Sequence, residues 1–292
     1  MKHRCASTIV AVLVTFLFAA TVHAQLRAGP AGAEEGKLRK QLWLVPAGDG
    51  RMLHVNVVRP SGDGPFPLVI MNHGSPPSAK ERPTMAVPTF SSLSEWLVAR
   101  GYAVALPLRR GYGASGGSWD EEFGRCDRPD FAKAGLETAR DIETVLGHMT
   151  QQPFIKKSGV VVFGQSAGGW GTLALSSKNP SAVSAYVNFA GGRGGHRDGK
   201  PHSNCTPDAL VTAAAQYGRT AKRPTLWIYT ANDSLFAPEL ARRMHEAFRR
   251  GGGQAQLVQL PTFDEDGHRL ASKREGVAIW APIVEPFLAA AR

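Results

Sequence analysis

Val160-Val161-Val162-Phe163-Gly164-Gln165-Ser166-Ala167-Gly168-Gly169-Trp170-Gly171 is the stretch on which the reading of this chain turns. β-Branched and aromatic residues predict a strand that stops at Gly164, and Thr172-Leu173-Ala174-Leu175 continues with helical composition. Strand, sharp turn and helix put Ser166 at the apex of a Gly-x-Ser-x-Gly elbow. Such a turn strains the backbone of its central residue, so the positions two before and two after must be small. Gly164 and Gly168 meet that need, with Ala167 and Gly169 adding room. In a glycine-rich chain the same letters also describe a plain strand-to-helix turn with a solvated serine.

Working outward, the strand-like runs alternate with helical ones. Residues 38–45 and 52–58 alternate apolar and polar across Pro46-Ala47-Gly48-Asp49-Gly50, which predicts an antiparallel hairpin at a sheet edge. Buried strands are expected at 67–71, 102–106, 182–189, 225–230 and 255–260, and helices at 90–100, 131–149, 208–217, 238–250 and 277–291. Asp130 is placed to cap the second of these helices. This α/β alternation implies a mostly parallel central sheet with helices on both faces. No linker-like boundary interrupts it, so residues 37–292 read as one domain, preceded by a flexible Gly/Ala-rich lead-in at 25–36.

The N-terminus combines Met1-Lys2-His3-Arg4, an apolar run shorter than a membrane span, and Val22-x-Ala24. That predicts a secretory signal over residues 1–24, with an uncleaved anchor as the alternative. Cleavage would lower the net charge from +10 to +8, by taking Lys2 and Arg4 and no acid. The remaining charges are scattered and no aromatic-basic motif accompanies them, so no nucleic acid partner is expected. Leu240, Met244 and Phe248 form one apolar helix face, and Glu239 with Arg243 and Glu246 with Arg250 fit i,i+4 pairs. Attraction to acidic envelope polymers is compatible with that basic surface. Cys126 and Cys205 remain after cleavage; an exported chain allows them to pair, and neither sits in a zinc-ligand set.

A serine alcohol needs a positioned base, most often a histidine held by a buried carboxylate. His268 follows the last expected strand and Asp233 the one before it. In a parallel sheet the loops after the strands share one edge, which would gather Ser166, Asp233 and His268. Asp264 and Asp266 compete for the acid role from four and two residues away. An oxyanion also needs fixed N–H donors: Ala167 supplies one. The second should come from the loop after 67–71, where Pro76 and Pro77 have no N–H; of His73, Gly74 and Ser75, Ser75 is chosen.

These residues carry a resemblance to the α/β-hydrolase family over residues 38–292. Asn72-His73-Gly74, Arg110-Gly111-Tyr112-Gly113, Gly164-Gln165-Ser166-Ala167-Gly168, Asn232-Asp233 and Asp266-Gly267-His268 match its pattern. The chain looks most like secreted dienelactone-hydrolase-like and esterase members, with some similarity to prolyl-oligopeptidase-type catalytic domains. Dienelactone hydrolases proper use a cysteine where Ser166 stands. The resemblance implies an exported, periplasmic or extracellular serine esterase acting on a small-molecule or polymer ester, without cofactor or metal and without stable membrane insertion. A peptidase or a non-catalytic binding protein on the same fold are the alternatives. The strand order of the resembled fold puts two strands between the loops of Cys126 and Cys205, a gap of about 14 Å at roughly 4.8 Å per strand. Both loops are long enough to close it with a disulfide over the site's mouth. That bridge would tie the loops into a lid, with Tyr112, Trp119 and Arg193 as pocket candidates.

Overall fold

A computed structural model describes residues 27–76 and 78–291, so the expected signal at 1–24 lies outside the described residues. Nine strands form one sheet: β1 (Gly29–Glu35), β2 (Lys40–Pro46), β3 (Met52–Val58), β4 (Leu68–Asn72), β5 (Ala103–Leu108), β8 (Val160–Gln165), β9 (Val183–Phe189), β10 (Thr225–Thr230) and β11 (Ala255–Leu260). The remaining two, β6 (Gly124–Arg125) and β7 (Arg128–Pro129), make a small separate ribbon. The order across the sheet is β1-β2-β3-β5-β4-β8-β9-β10-β11. Pairing is antiparallel from β1 to β5 and parallel from β5 to β11.

The central strands read as unbroken apolar runs because both faces are covered: β4, β5, β8 and β10 are buried along their whole length. On one face α1 (Ser91–Val98) packs against α6 (Arg274–Ala290), and Trp96, Trp280 and Phe189 meet there edge to face. The other face carries α2 (Phe131–Met149), α3 (Ala167–Lys178), α4 (Pro207–Gly218) and α5 (Pro238–Gly251). Asp130 caps α2 as its position suggested, accepting from the Lys133 N–H at 2.8 Å. The expected fold class, a mostly parallel sheet with helices on both faces and an N-terminal antiparallel hairpin, is the one found.

Three local expectations are corrected. The flexible lead-in expected at 25–36 holds a strand in its described part: Gly29–Glu35 pairs with β2, and Glu34 holds Arg39 and Arg59. Its exposed, Gly/Ala-rich composition hid it, because an outermost strand need bury little. The β2–β3 hairpin is therefore one strand in from the edge. On α5 the expected Glu246–Arg250 pair is present at 3.7 Å, but Arg243 reaches across to Asp208 of α4 and leaves Glu239 to Arg242, which also takes Glu246. A carboxylate on a neighbouring helix outcompeted the i,i+4 partner.

Candidate active site

Parallel pairing aligns the carboxyl ends of β4, β8, β9, β10 and β11 along one edge, and every residue singled out for chemistry except the cysteines lies there or just beyond it. Ser166 stands between β8 and α3 at φ 54°, ψ −122°, a backbone region that L-residues avoid. The surroundings enforce it. The Ser166 N–H donates to the Phe189 carbonyl at 3.0 Å, while its own carbonyl accepts from Trp170 and Gly192 at 2.9 and 3.2 Å. A Cβ on Gly164 would run into the Gly168 carbonyl, and one on Gly168 into the carbonyl of Asn72. The smallness demanded by the elbow is thus a backbone-on-backbone constraint.

Asp233 and His268 meet across the β10 and β11 loops. The His268 Nδ1 lies 3.0 and 3.1 Å from the two oxygens of Asp233, which is wholly buried. Asp233 Oδ1 also accepts from the N–H groups of Leu235 and Phe236, both at 2.9 Å. These bonds leave the carboxylate no freedom to turn away from the ring. Asp266, the competing acid, is spent otherwise: it accepts from the Ser234 N–H and the His268 N–H at 3.0 Å each, and from the Ser234 hydroxyl at 2.6 Å. Burial alone would raise its pKa, but those donors hold it below the usual carboxylate range. Asp264 pairs with Lys273 instead. Gln165, which sequence reasoning passed over, donates from Nε2 to the His268 carbonyl at 2.8 Å and so ties the histidine loop to the elbow.

Ser166, Ala167, His268, Gly74 and Ser75 share a cavity of about 1050 Å³. Its walls include Phe90, Trp119, Phe123, Leu235 and Phe236, with the Arg82 guanidinium stacked 3.6 Å from the centre of the Trp119 ring. Trp119 and Arg193 line it as expected. Tyr112 does not: it is fully buried, and its hydroxyl contacts Ser75 Oγ at 2.6 Å, donates to Glu121 at 2.9 Å and accepts from Trp119 Nε1 at 2.9 Å. An aromatic ring in a Gly-rich loop looked like a pocket group, but its polar tip completes a network behind the pocket.

Cys126 and Cys205 are bridged, with Cα atoms 4.8 Å apart. The bridge is not over the mouth. Neither cysteine lines the cavity; Cys205 donates its N–H to the Gly194 carbonyl at 2.8 Å and packs by Phe131, behind the wall that carries Arg193. Cys205 is buried, while Cys126 is half-buried between exposed Arg125 and Asp127.

Sequence comparison gives this geometry a lineage. Residues 49–248 match the X-Pro dipeptidyl-peptidase (S15) family, a region holding Ser166 and Asp233. The chain belongs to that family. Among curated proteins, this S15-family chain is 37% identical to protein bem46 of Schizosaccharomyces pombe over 96 residues, 31% of this chain and 27% of bem46. Among solved structures it is similar to the Pyrococcus furiosus esterase Pf2001, with a TM-score of 0.60 and 17% identity over 87% of this chain and 93% of that one. It is also similar to dipeptidyl peptidase 4 of Porphyromonas gingivalis, with a TM-score of 0.63 and 15% identity over 87% of this chain but 36% of that one. These structures share the α/β-hydrolase fold, and the chain spans about a quarter of the length of the curated relative it matches. Among the described residues no helix is long and apolar enough to cross a membrane, and no group of three or more His, Cys, Asp or Glu could hold a metal.

Proposed function

We propose that this chain is a secreted serine hydrolase that cleaves carboxylic esters through an acyl-enzyme on Ser166. The observation that carries the reading is the Asp233–His268 pair, whose histidine lines the same cavity as a serine strained into an elbow. Asp233 holds the proton on Nδ1, leaving Nε2 to take the Ser166 proton. Ser166 Oγ then attacks the ester carbonyl, and the N–H groups of Ala167 and Ser75 receive the oxyanion. As the tetrahedral adduct collapses, His268 returns the proton to the leaving alcohol. Water then gives its proton to His268 as its oxygen bonds the acyl carbon, and collapse of this second adduct breaks the bond to Ser166 Oγ, which takes the proton back from His268 as the acid leaves. Export rests on the expected signal at 1–24, and the disulfide suits an oxidising compartment.

The family's name raises a second reading, cleavage of X-Pro dipeptides from peptide N-termini. Such substrates carry a cationic amine, which calls for carboxylates in the pocket. The cavity offers Asp266, whose oxygens are taken, against Arg82, Arg193 and Arg269. That balance favours esters. The deciding experiment assays the mature protein against short-chain aryl esters and aminoacyl-prolyl aryl amides, with fluorophosphonate labelling alongside. Faster turnover of the amides would reassign it as a peptidase. Absence of labelling and of turnover would leave a binding protein on a hydrolase fold.

A further inference from the structure

Beside the loop His73-Gly74-Ser75, three ions are buried together, Arg193 in the cavity wall and Arg109 and Glu121 behind it: Arg109, Arg193 and Glu121 are 0%, 4% and 2% exposed. Glu121 bridges the two guanidiniums. From this hub, bonds run to both ends of the loop. Arg109 donates from Nη1 to the His73 carbonyl at 2.8 Å and from its backbone N–H to the His73 ring at 3.3 Å. Arg193 donates from Nη1 to Ser75 Oγ at 3.2 Å and from Nη2 to Thr138 Oγ1 at 2.9 Å. Ser75 Oγ in turn contacts Tyr112, which donates to Glu121. The Ser75 hydroxyl is therefore held from two sides.

Two features go beyond what loop packing needs. First, two permanent cations share one carboxylate, so the hub carries one positive charge that no buried acid within it balances. The neighbouring Arg110 has acids of its own: buried Asp141, and the more exposed Asp120 and Glu137 at 3.5 and 3.8 Å. Second, Arg193 Nε is buried with no hydrogen-bond partner, a cost that a purely structural strut has no reason to bear.

We propose that Arg193, gripped by Glu121, is a positioning residue for acyl transfer. It fixes Ser75 so that the Ser75 N–H faces the developing oxyanion, and it brings a guanidinium charge within one hydrogen bond of that loop. Charge appearing on the substrate oxygen in the transition state meets a field already in place, at no cost of reorganisation. Arg109 holds the other end of the loop and keeps Glu121 neutralised when Arg193 is absent. The inference rests on Ser166 as nucleophile and Ser75 as oxyanion donor.

The test compares Arg193→Met, Arg193→Lys and Ser75→Ala with the parent protein on a neutral aryl ester, together with inhibition by an aryl boronic acid that forms a tetrahedral adduct on serine. Arg193→Met should lower kcat by roughly 10- to 100-fold with KM within about twofold, because the lost interaction matters in the transition state. Boronate affinity should fall in step with kcat/KM, and Arg193→Lys should recover part of both. An Arg193→Met protein that melts earlier yet keeps its kcat would overturn the proposal, leaving a structural hub. A rise in KM alone would overturn it too, by making Arg193 a ground-state contact. Should Arg193→Met fail to fold, Ser75→Ala decides: it removes only the gripped hydroxyl, and an unchanged kcat ends the idea. Loss of activity in Ser166→Ala is scored separately, so failure of the nucleophile assignment cannot be mistaken for failure of the clamp.

Discussion

Two loops at the same sheet edge each bury a carboxylate against a base, and they use it differently. In the loops after β10 and β11, Asp233 faces one imidazole. In the loop after β5, Glu121 faces two guanidiniums. An imidazole changes charge near neutral pH, so its carboxylate can steady a proton in motion. A guanidinium never gives up its proton, so its carboxylate can only hold shape and set a field. For Glu121, burial alone would raise the pKa, but Arg109 and then Arg193 outweigh it and hold the carboxyl far below its usual range. One loop is built for proton transfer and the other for permanence.

The largest effect tests the mobile side. Ser166→Ala should cut ester hydrolysis by on the order of 10⁴-fold or more while the protein stays folded. Turnover and fluorophosphonate labelling of the purified variant check this, and residual activity near the parent level would remove Ser166 from the mechanism. Next comes the choice of acid. Asp233→Asn should lower kcat by roughly 10³- to 10⁴-fold, because an amide favours the wrong His268 tautomer. Asp266→Asn should cost far less, since its bonds go to Ser234 and to the His268 backbone rather than the ring. A reversed ranking of kcat would move the acid role to Asp266.

The same contrast explains what the sequence could say in advance. Ser166, Asp233 and His268 were legible because each follows a recognisable strand, and a parallel sheet brings strand ends together whatever the loops do. The strand order likewise carried the pairing of Cys126 with Cys205. Glu121 was not legible. It sits in a long irregular excursion, and its partners are one residue past β5 and four past β9. A hint existed: Arg109-Arg110 leave a fully buried strand, and cations there must find acids nearby. Arg110 found Asp141 on the inner face of α2, at 2.6 Å. Strand β1 was missed for the opposite reason, since exposure left it no apolar pattern.

The disulfide joins the two regions' surroundings, and its loss should be felt mainly in stability. Replacing Cys126 and Cys205 by alanine should cost about 2–5 kcal/mol in urea unfolding, most of it through a less constrained unfolded chain. The backbone N–H at position 205 that donates to the Gly194 carbonyl survives the substitution, so kcat under native conditions should stay close to the parent value. Mass spectrometry of the unreduced, unfolded chain checks the bridge itself: two alkylatable thiols would show it is not formed.

The smallest effect expected is a pH dependence that belongs to the permanent side. His73 is buried beneath the loop that it begins, with Nδ1 donating to the Gly74 carbonyl at 2.7 Å and Nε2 accepting from the Arg109 N–H. Burial first, and the Arg109 cation next, push its pKa from the ordinary 6.5 down to about 3. Folded protein therefore keeps the ring neutral where unfolded chain would protonate it. The sign follows: stability is intact above pH 6.5 and falls as pH drops from 6.5 towards 3, at about 1.4 kcal/mol per unit. Between pH 6.5 and 5 the loss from this residue should be roughly 2 kcal/mol. Glu121, held far below the usual carboxylate range, keeps its charge through that window, while His148 and His245, also pushed down by burial, add slopes of their own that the comparison of parent with variant removes. Urea unfolding of the parent and of His73→Gln at about pH 7 and 5 measures it, and the variant should lose less stability on acidification. Equal losses would mean that His73 carries its proton in the folded state, and that the ground beneath the oxyanion loop is less dry than its contacts imply.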